Sequence, residues 1–200
     1  MDKLSLRKYH RSGSIVDKDV KSLGTLAKSK SLATGNTSLT PDGLVRTENT
    51  FLEFYINDEP LSKLLDKVYA TEGSILDNWI GILGWSANKK SDTVKVKRLL
   101  GKNISEKEIR EMYPAEWSNS EFRNYLEKEC EELSDPEIII YCCAECGDYE
   151  CGGIAVQINK TDDAFVWTIR DEDKHLTFKF DKYQYFDLFD KYLRKLKTEY

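Results

Sequence analysis

Two histidines and two methionines are all that 200 residues contain, and no uninterrupted apolar run approaches the roughly 20 residues that cross a bilayer. A transmembrane helix is excluded. Met1 to His10 lacks the apolar stretch of a secretory signal, so a cytoplasmic location is expected. No nucleophile motif, phosphate-binding loop or HExxH pattern occurs, which leaves no motif-based route to an enzyme class. The chain also lacks an excess of positive charge. With 30 Lys and Arg against 35 Asp and Glu, the formal charge is −5, which argues against a strongly basic nucleic-acid binder. Direct nucleic-acid binding and membrane attachment are not expected.

Hydrophobic residues make up 40% and aromatics 12% of the chain, enough for one core. Charge divides it. Residues 1–46 hold nine basic and four acidic residues, a net of +5, and the remainder is −10. The stretch KSLGTLAKSKSLATGNTSLTPDG is rich in Ser, Thr, Gly and Lys without a sustained apolar period, so residues 1–46 read as a basic Ser/Thr/Gly-rich extension. It is either a solvated tail or a basic arm that docks an acidic partner or its own acidic body. A weak pattern at Ile15, Val16, Val20, Leu23 and Leu26 leaves room for a short helix. Residues 47–200 read as a single domain.

Order is expected to begin near Phe51, where FLEFYI has the alternation and aromatic content of a strand, followed by a turn at Asn57-Asp58. Pro60 suits a first helical turn, and Leu61, Leu64, Leu65 and Val68 repeat on one helical face. Trp79 to Trp85 reads as a buried turn or short strand, and Val94, Val96, Leu99 and Leu100 as an amphipathic element. Ser105 with Glu108, and Ser118 with Glu121, form two capping boxes. Beyond Pro136, strands are expected at Glu137 to Cys143, Ile154 to Asn159, Ala164 to Arg170 and Leu176 to Phe180. A helix follows from Asp181 with Tyr185, Phe186, Phe189, Tyr192 and Leu193. The class is α+β: an antiparallel β-meander with a C-terminal helix, and an N-terminal strand and helices packed on the sheet.

Two features carry candidate function. Ser105 to Glu137 holds 11 acidic and four basic residues, net −7. This is either a solvated helix face or a negative face that mimics nucleic acid or meets a basic partner. Trp117, Tyr149 and Tyr183 are candidate aromatic anchors for such a partner, with Glu121, Glu131 and Glu132 as candidate charges. The second feature is Cys143-x2-Cys146-x4-Cys151, which brings three thiols into one Gly-bearing turn. Five cysteines in a reducing compartment argue against a disulfide framework. The three thiols suit one structural zinc, with Cys130 or His175 as candidate fourth ligand; Cys142 and Asp148 also lie close in sequence. Cys142 and Cys143 are neighbours on a strand and point to opposite faces. Reduced thiols packed in the turn are the alternative. Dithiol redox chemistry is disfavoured, because Glu145, Asp148 and Glu150 raise rather than lower the thiol pKa.

The segments Phe54 to Leu65, Gly81 to Trp85, Arg98 to Gly101, Tyr141 to Asp148 with Cys151-Gly152, Val166-Trp167 and Phe178 to Asp181 together resemble a small bacterial family. Its hallmark is a YxCxECGDxxCG turn, here Tyr141 to Gly152. The resemblance runs from about Phe51 to Leu196 and treats the first 50 residues as an extension. It implies a compact bacterial cytoplasmic protein in which Cys143, Cys146 and Cys151 belong to the pattern and Cys130 and Cys142 do not. Some members carry the label oxidoreductase.

Small acidic α+β proteins without catalytic motifs are common among immunity proteins that neutralise bacterial toxins. A non-catalytic binding protein of this kind, meeting a basic toxin domain, is the leading expectation. A zinc- or thiol-dependent protein using the cysteine turn is the alternative, and a basic-tailed adaptor a third.

Overall fold

A computed structural model describes residues 1–11, 15–16, 39–40, 43–45, 48–69, 73–85, 89–112, 120, 127, 130–131, 133, 135–144, 152–171 and 174–198. The meander expected from the C-terminal half is there. Strands β8 (Glu137–Cys143), β9 (Gly153–Lys160), β10 (Ala164–Asp171) and β11 (Lys174–Asp181) pair antiparallel in sequence order. Strand β7 (Trp79–Gly81) joins the far edge beside β8, completing five strands ordered β11-β10-β9-β8-β7. The register of β8 against β9 slips between Ile139 and Tyr141. Such a bulge bends the strand and re-aims the residues that follow. The carbonyl of Ile140 accepts instead from Ile82 N, at 3.1 Å.

The second sheet holds a departure from the sequence reading. Residues Leu4–Arg11, placed in the extension by composition, form strand β1 and pair along their whole length with β5 (Asn49–Ile56), from Leu4 opposite Ile56 to Arg11 opposite Asn49. The physical reason is that Leu4, Leu6 and Tyr9 pack against the main core, and burial of these few side chains outweighs the high local charge. Three further short strands, β2 (Ile15–Val16), β3 (Leu39–Thr40) and β4 (Gly43–Val45), form a small sheet of their own inside residues 1–46. Ile15 and Val16 are thus in a strand, not a helix; Val20, Leu23 and Leu26 lie outside the described residues.

The turn after β5 is as expected. Asn57 and Asp58 both have positive φ, 51° and 67°, and Ile56 pairs with Glu59 in β6 (Glu59–Pro60). This is the two-residue hairpin whose twist matches the strands, and Asn and Asp tolerate the left-handed conformation it needs. Pro60 closes that hairpin, and helix α1 (Leu61–Tyr69) begins one residue later. Leu61 and Leu65 of α1 are fully buried.

Single bridges link the two sheets at both edges. Asp2 pairs with Phe180 of β11, and Leu52 of β5 with Leu83 just beyond β7. Seven strands thereby close into a ring. Inside it, Phe54 meets Trp167 edge-on at 5.4 Å, and Trp167 meets Phe180 edge-on at the same distance, the geometry that aromatic quadrupoles favour. Helices α2 (Lys89–Leu99), α3 (Glu106–Met112) and α4 (Lys182–Thr198) complete the fold. Ser105 caps α3 reciprocally with Glu108: its amide donates to Oε2 at 2.9 Å, and its Oγ accepts from Glu108 N at 3.3 Å. Asp181 caps α4 by accepting from Gln184 N. The second expected box, at Ser118 and Glu121, lies outside the described residues. Among the described residues no helix is long and apolar enough to cross a membrane.

Candidate functional site

Strand β8 ends at Cys143, the first cysteine of the Cys143-x2-Cys146-x4-Cys151 pattern. Cys142 is buried opposite Ile80, and Cys143, half-buried, stands opposite Trp79, so the two thiols divide between the faces of the strand as the pleat requires. Burial pushes the Cys142 thiol up to about 11, which keeps it protonated and poor as a nucleophile or metal ligand. Cys143 lies on the same face as Tyr141 and opposite Trp79, and is less buried than Cys142. Cys146 and Cys151 lie outside the described residues, and among the described residues no three His, Cys, Asp or Glu side chains converge as a metal site.

The two candidate fourth ligands fare differently. Cys130 packs beside the small cluster of Val94, Ile109 and Leu133, between α2 and α3. His175 sits on β11, three strand steps from β8, which is about 14 Å at ordinary strand spacing. The meander puts the histidine on an edge strand of the five-stranded sheet.

On the acidic segment, Glu106, Glu111, Glu127, Glu131, Asp135 and Glu137 are all exposed. Part of this charge is met locally, by Arg110 on Glu106 and by Lys107 near Glu111 at 3.9 Å. Exposed pairs of this kind contribute little to stability and leave the field of the surface negative. Glu108 differs. Lys97 and both donors of Ser105 hold its carboxyl down at about 2. Tyr183, at the start of α4, is 83% exposed, as an interface anchor needs to be. Trp117, Glu121, Glu132 and Tyr149 lie outside the described residues.

The structure adds two acidic groups that sequence reasoning missed. Glu53 on β5 is fully buried among core side chains. Its Oε1 accepts from the Tyr141 hydroxyl at 2.5 Å and from Ser62 N at 3.2 Å, while Oε2 has no partner. Burial, with a smaller push from Asp66, raises its carboxyl to about 7. The signal in the sequence was slight: one Glu inside the aromatic run FLEFYI. Asp92, in the first turn of α2, is 2% exposed. Its Oδ2 accepts from Gly84 N at 2.8 Å and from the Tyr192 hydroxyl at 2.6 Å, and Oδ1 is left without a partner. Burial raises its pKa. Asp92 and Tyr192 line a cleft of about 320 Å³ together with Lys8, Lys89 and Lys195.

Compared with known proteins, the chain matches no family model, no curated protein and no solved structure.

Proposed function

We propose that this is a binding protein whose acidic surface along residues 105–137 docks a basic protein partner, in the manner of an immunity protein that neutralises a bacterial toxin. The observation that carries the reading is the exposure of the carboxylates of Glu106, Glu111, Glu127, Glu131, Asp135 and Glu137, in a segment of net charge −7. Such a field steers a basic partner into encounter and repels acidic ones. Tyr183 supplies an exposed aromatic of the kind that anchors interfaces.

The experiment is native mass spectrometry of the tagged protein drawn from its host lysate without chelator, paired with co-expression beside the neighbouring toxin gene. A stoichiometric basic partner and protection of the host are expected. Reversing Glu127 and Glu131 to lysine weakens the complex, and added salt weakens the unmodified one. No partner and no protection would end the proposal.

A second reading has its own observation, the half-buried thiol of Cys143 at the end of β8, with Cys146 and Cys151 three and eight residues further along the sequence. The same mass spectrum tests it, since one zinc per chain adds a defined mass. Loss of that zinc with loss of folding in Cys146→Ser marks a structural site.

A further inference from the structure

Glu53 is a carboxylic acid with no exposed surface, placed where a sheet, a helix and a second sheet meet. From β8 it receives the hydroxyl of Tyr141, itself fully buried, and from the first turn of α1 the amide of Ser62. Asp66 of α1 faces it as a like charge, and Tyr9 of β1 lies close enough for their charges to interact. Arg7 is its register partner on β1, but the guanidinium goes to Asp58 and lies 4.3 Å over the Tyr55 ring. No cation therefore closes on the carboxyl among the described residues. Ionised, Glu53 would carry a buried negative charge with one oxygen unbonded, the arrangement that costs most in a core.

We propose that Glu53 and Tyr141 form a proton-operated joint: with Glu53 neutral, β5, α1 and β8 are held as seen, and loss of the proton loosens their contact and frees the end of β8. The location gives the joint a consequence. Tyr141 immediately precedes Cys142 and Cys143 and pairs with Gly81 of β7, so movement of its ring passes directly to the end of β8. The proton is held over a useful range, since burial keeps the Glu53 carboxyl at about 7 against an ordinary 4.5. Each unit of such a shift is a factor of about ten between the two protonation states, so ionisation favours the loosened joint by up to roughly three hundredfold. The joint does not depend on the partner surface.

The test is amide hydrogen exchange on the full chain between pH 5.5 and 8.5, corrected for the intrinsic pH dependence of exchange and read over residues 49–56, 61–69 and 137–143. The opening constant of these segments is expected to rise by roughly tenfold or more, with a midpoint near 7. Glu53→Gln should abolish that rise. Tyr141→Phe removes a donor to the ionised form, so it moves the midpoint upward, and it serves if the glutamine variant fails to fold. A flat profile in the unmodified protein, an unchanged profile in Glu53→Gln, or an unmoved midpoint in Tyr141→Phe overturns the proposal.

Discussion

Tyr185→Phe deletes one oxygen from the centre of the molecule. The Tyr185 hydroxyl accepts from Trp167 Nε1 at 2.9 Å and donates to the carbonyl of Leu99 at 2.8 Å. Tyr185, Trp167 and Leu99 are all at or below 1% exposed. Leu99 is the last residue of α2, so its carbonyl has no further turn of helix to bond and relies on Tyr185 from α4. The phenylalanine ring keeps its stacking on Phe165, 4.3 Å away at an interplanar angle of 13°, and no cavity opens. What remains is a buried donor and a buried acceptor without partners. Each costs about 1–3 kcal/mol, so the variant should lose about 3 kcal/mol, which in a protein of this size lowers Tm by roughly 6–12 °C. Urea unfolding followed by tryptophan fluorescence, with calorimetry beside it, measures both. The slope against urea should stay the same while the midpoint falls. A double-mutant cycle with Trp167→Phe isolates the indole bond and should return a coupling of about 1 kcal/mol. A loss below about 0.5 kcal/mol would refute the reasoning, because the hydroxyl would then not be bridging two dry groups.

Three further outcomes are expected. Ser105→Ala removes the cap of α3 and should cost about 1 kcal/mol, read by urea unfolding. Glu108 is depressed to about 2 by Lys97 and Ser105, so its contribution is present above about 4.5, the ordinary value, and is lost as pH falls toward 2. Glu108→Gln should therefore flatten the acid limb of a stability profile measured between pH 5 and 2, and an unchanged limb would count against the capping box. Gly81→Ala places a Cβ 2.7 Å from a ring carbon of Phe51 and 2.8 Å from the carbonyl of Leu52. Because the second obstacle is backbone, the variant should be destabilised by about 1–3 kcal/mol, with a fall in Tm as the measure.

The elements written by short-range patterns were legible. Strand β8 occupies Glu137–Cys143 as its apolar run indicates, β9 to β11 follow the alternation and turns beyond Gly152, and Ser105 and Asp181 open helices because an N-cap is chemistry within four residues. The Asn57-Asp58 turn was readable for the same reason. Glu53 was not, since nothing within reach of FLEFYI says that both faces of β5 are covered: one register partner lies 46 residues away at Arg7 and the hydroxyl that bonds it 88 residues away at Tyr141.

The amino-acid sequence by itself indicated strands β5 and β8 to β11, the helices opened by Ser105 and Asp181, the net charge of residues 105–137 and the close spacing of three cysteines, because each depends on neighbours in the chain. Only the tertiary structure decided that Leu4–Arg11 is a strand of the body, that His175 stands three strands from Cys143, and that Glu53 and Asp92 are buried with an oxygen each to spare. Those outcomes depend on pairings between residues tens of positions apart, where the gain from burying Phe54, Trp167 and Tyr185 in one core overrides the local preference of any charged side chain carried in with them.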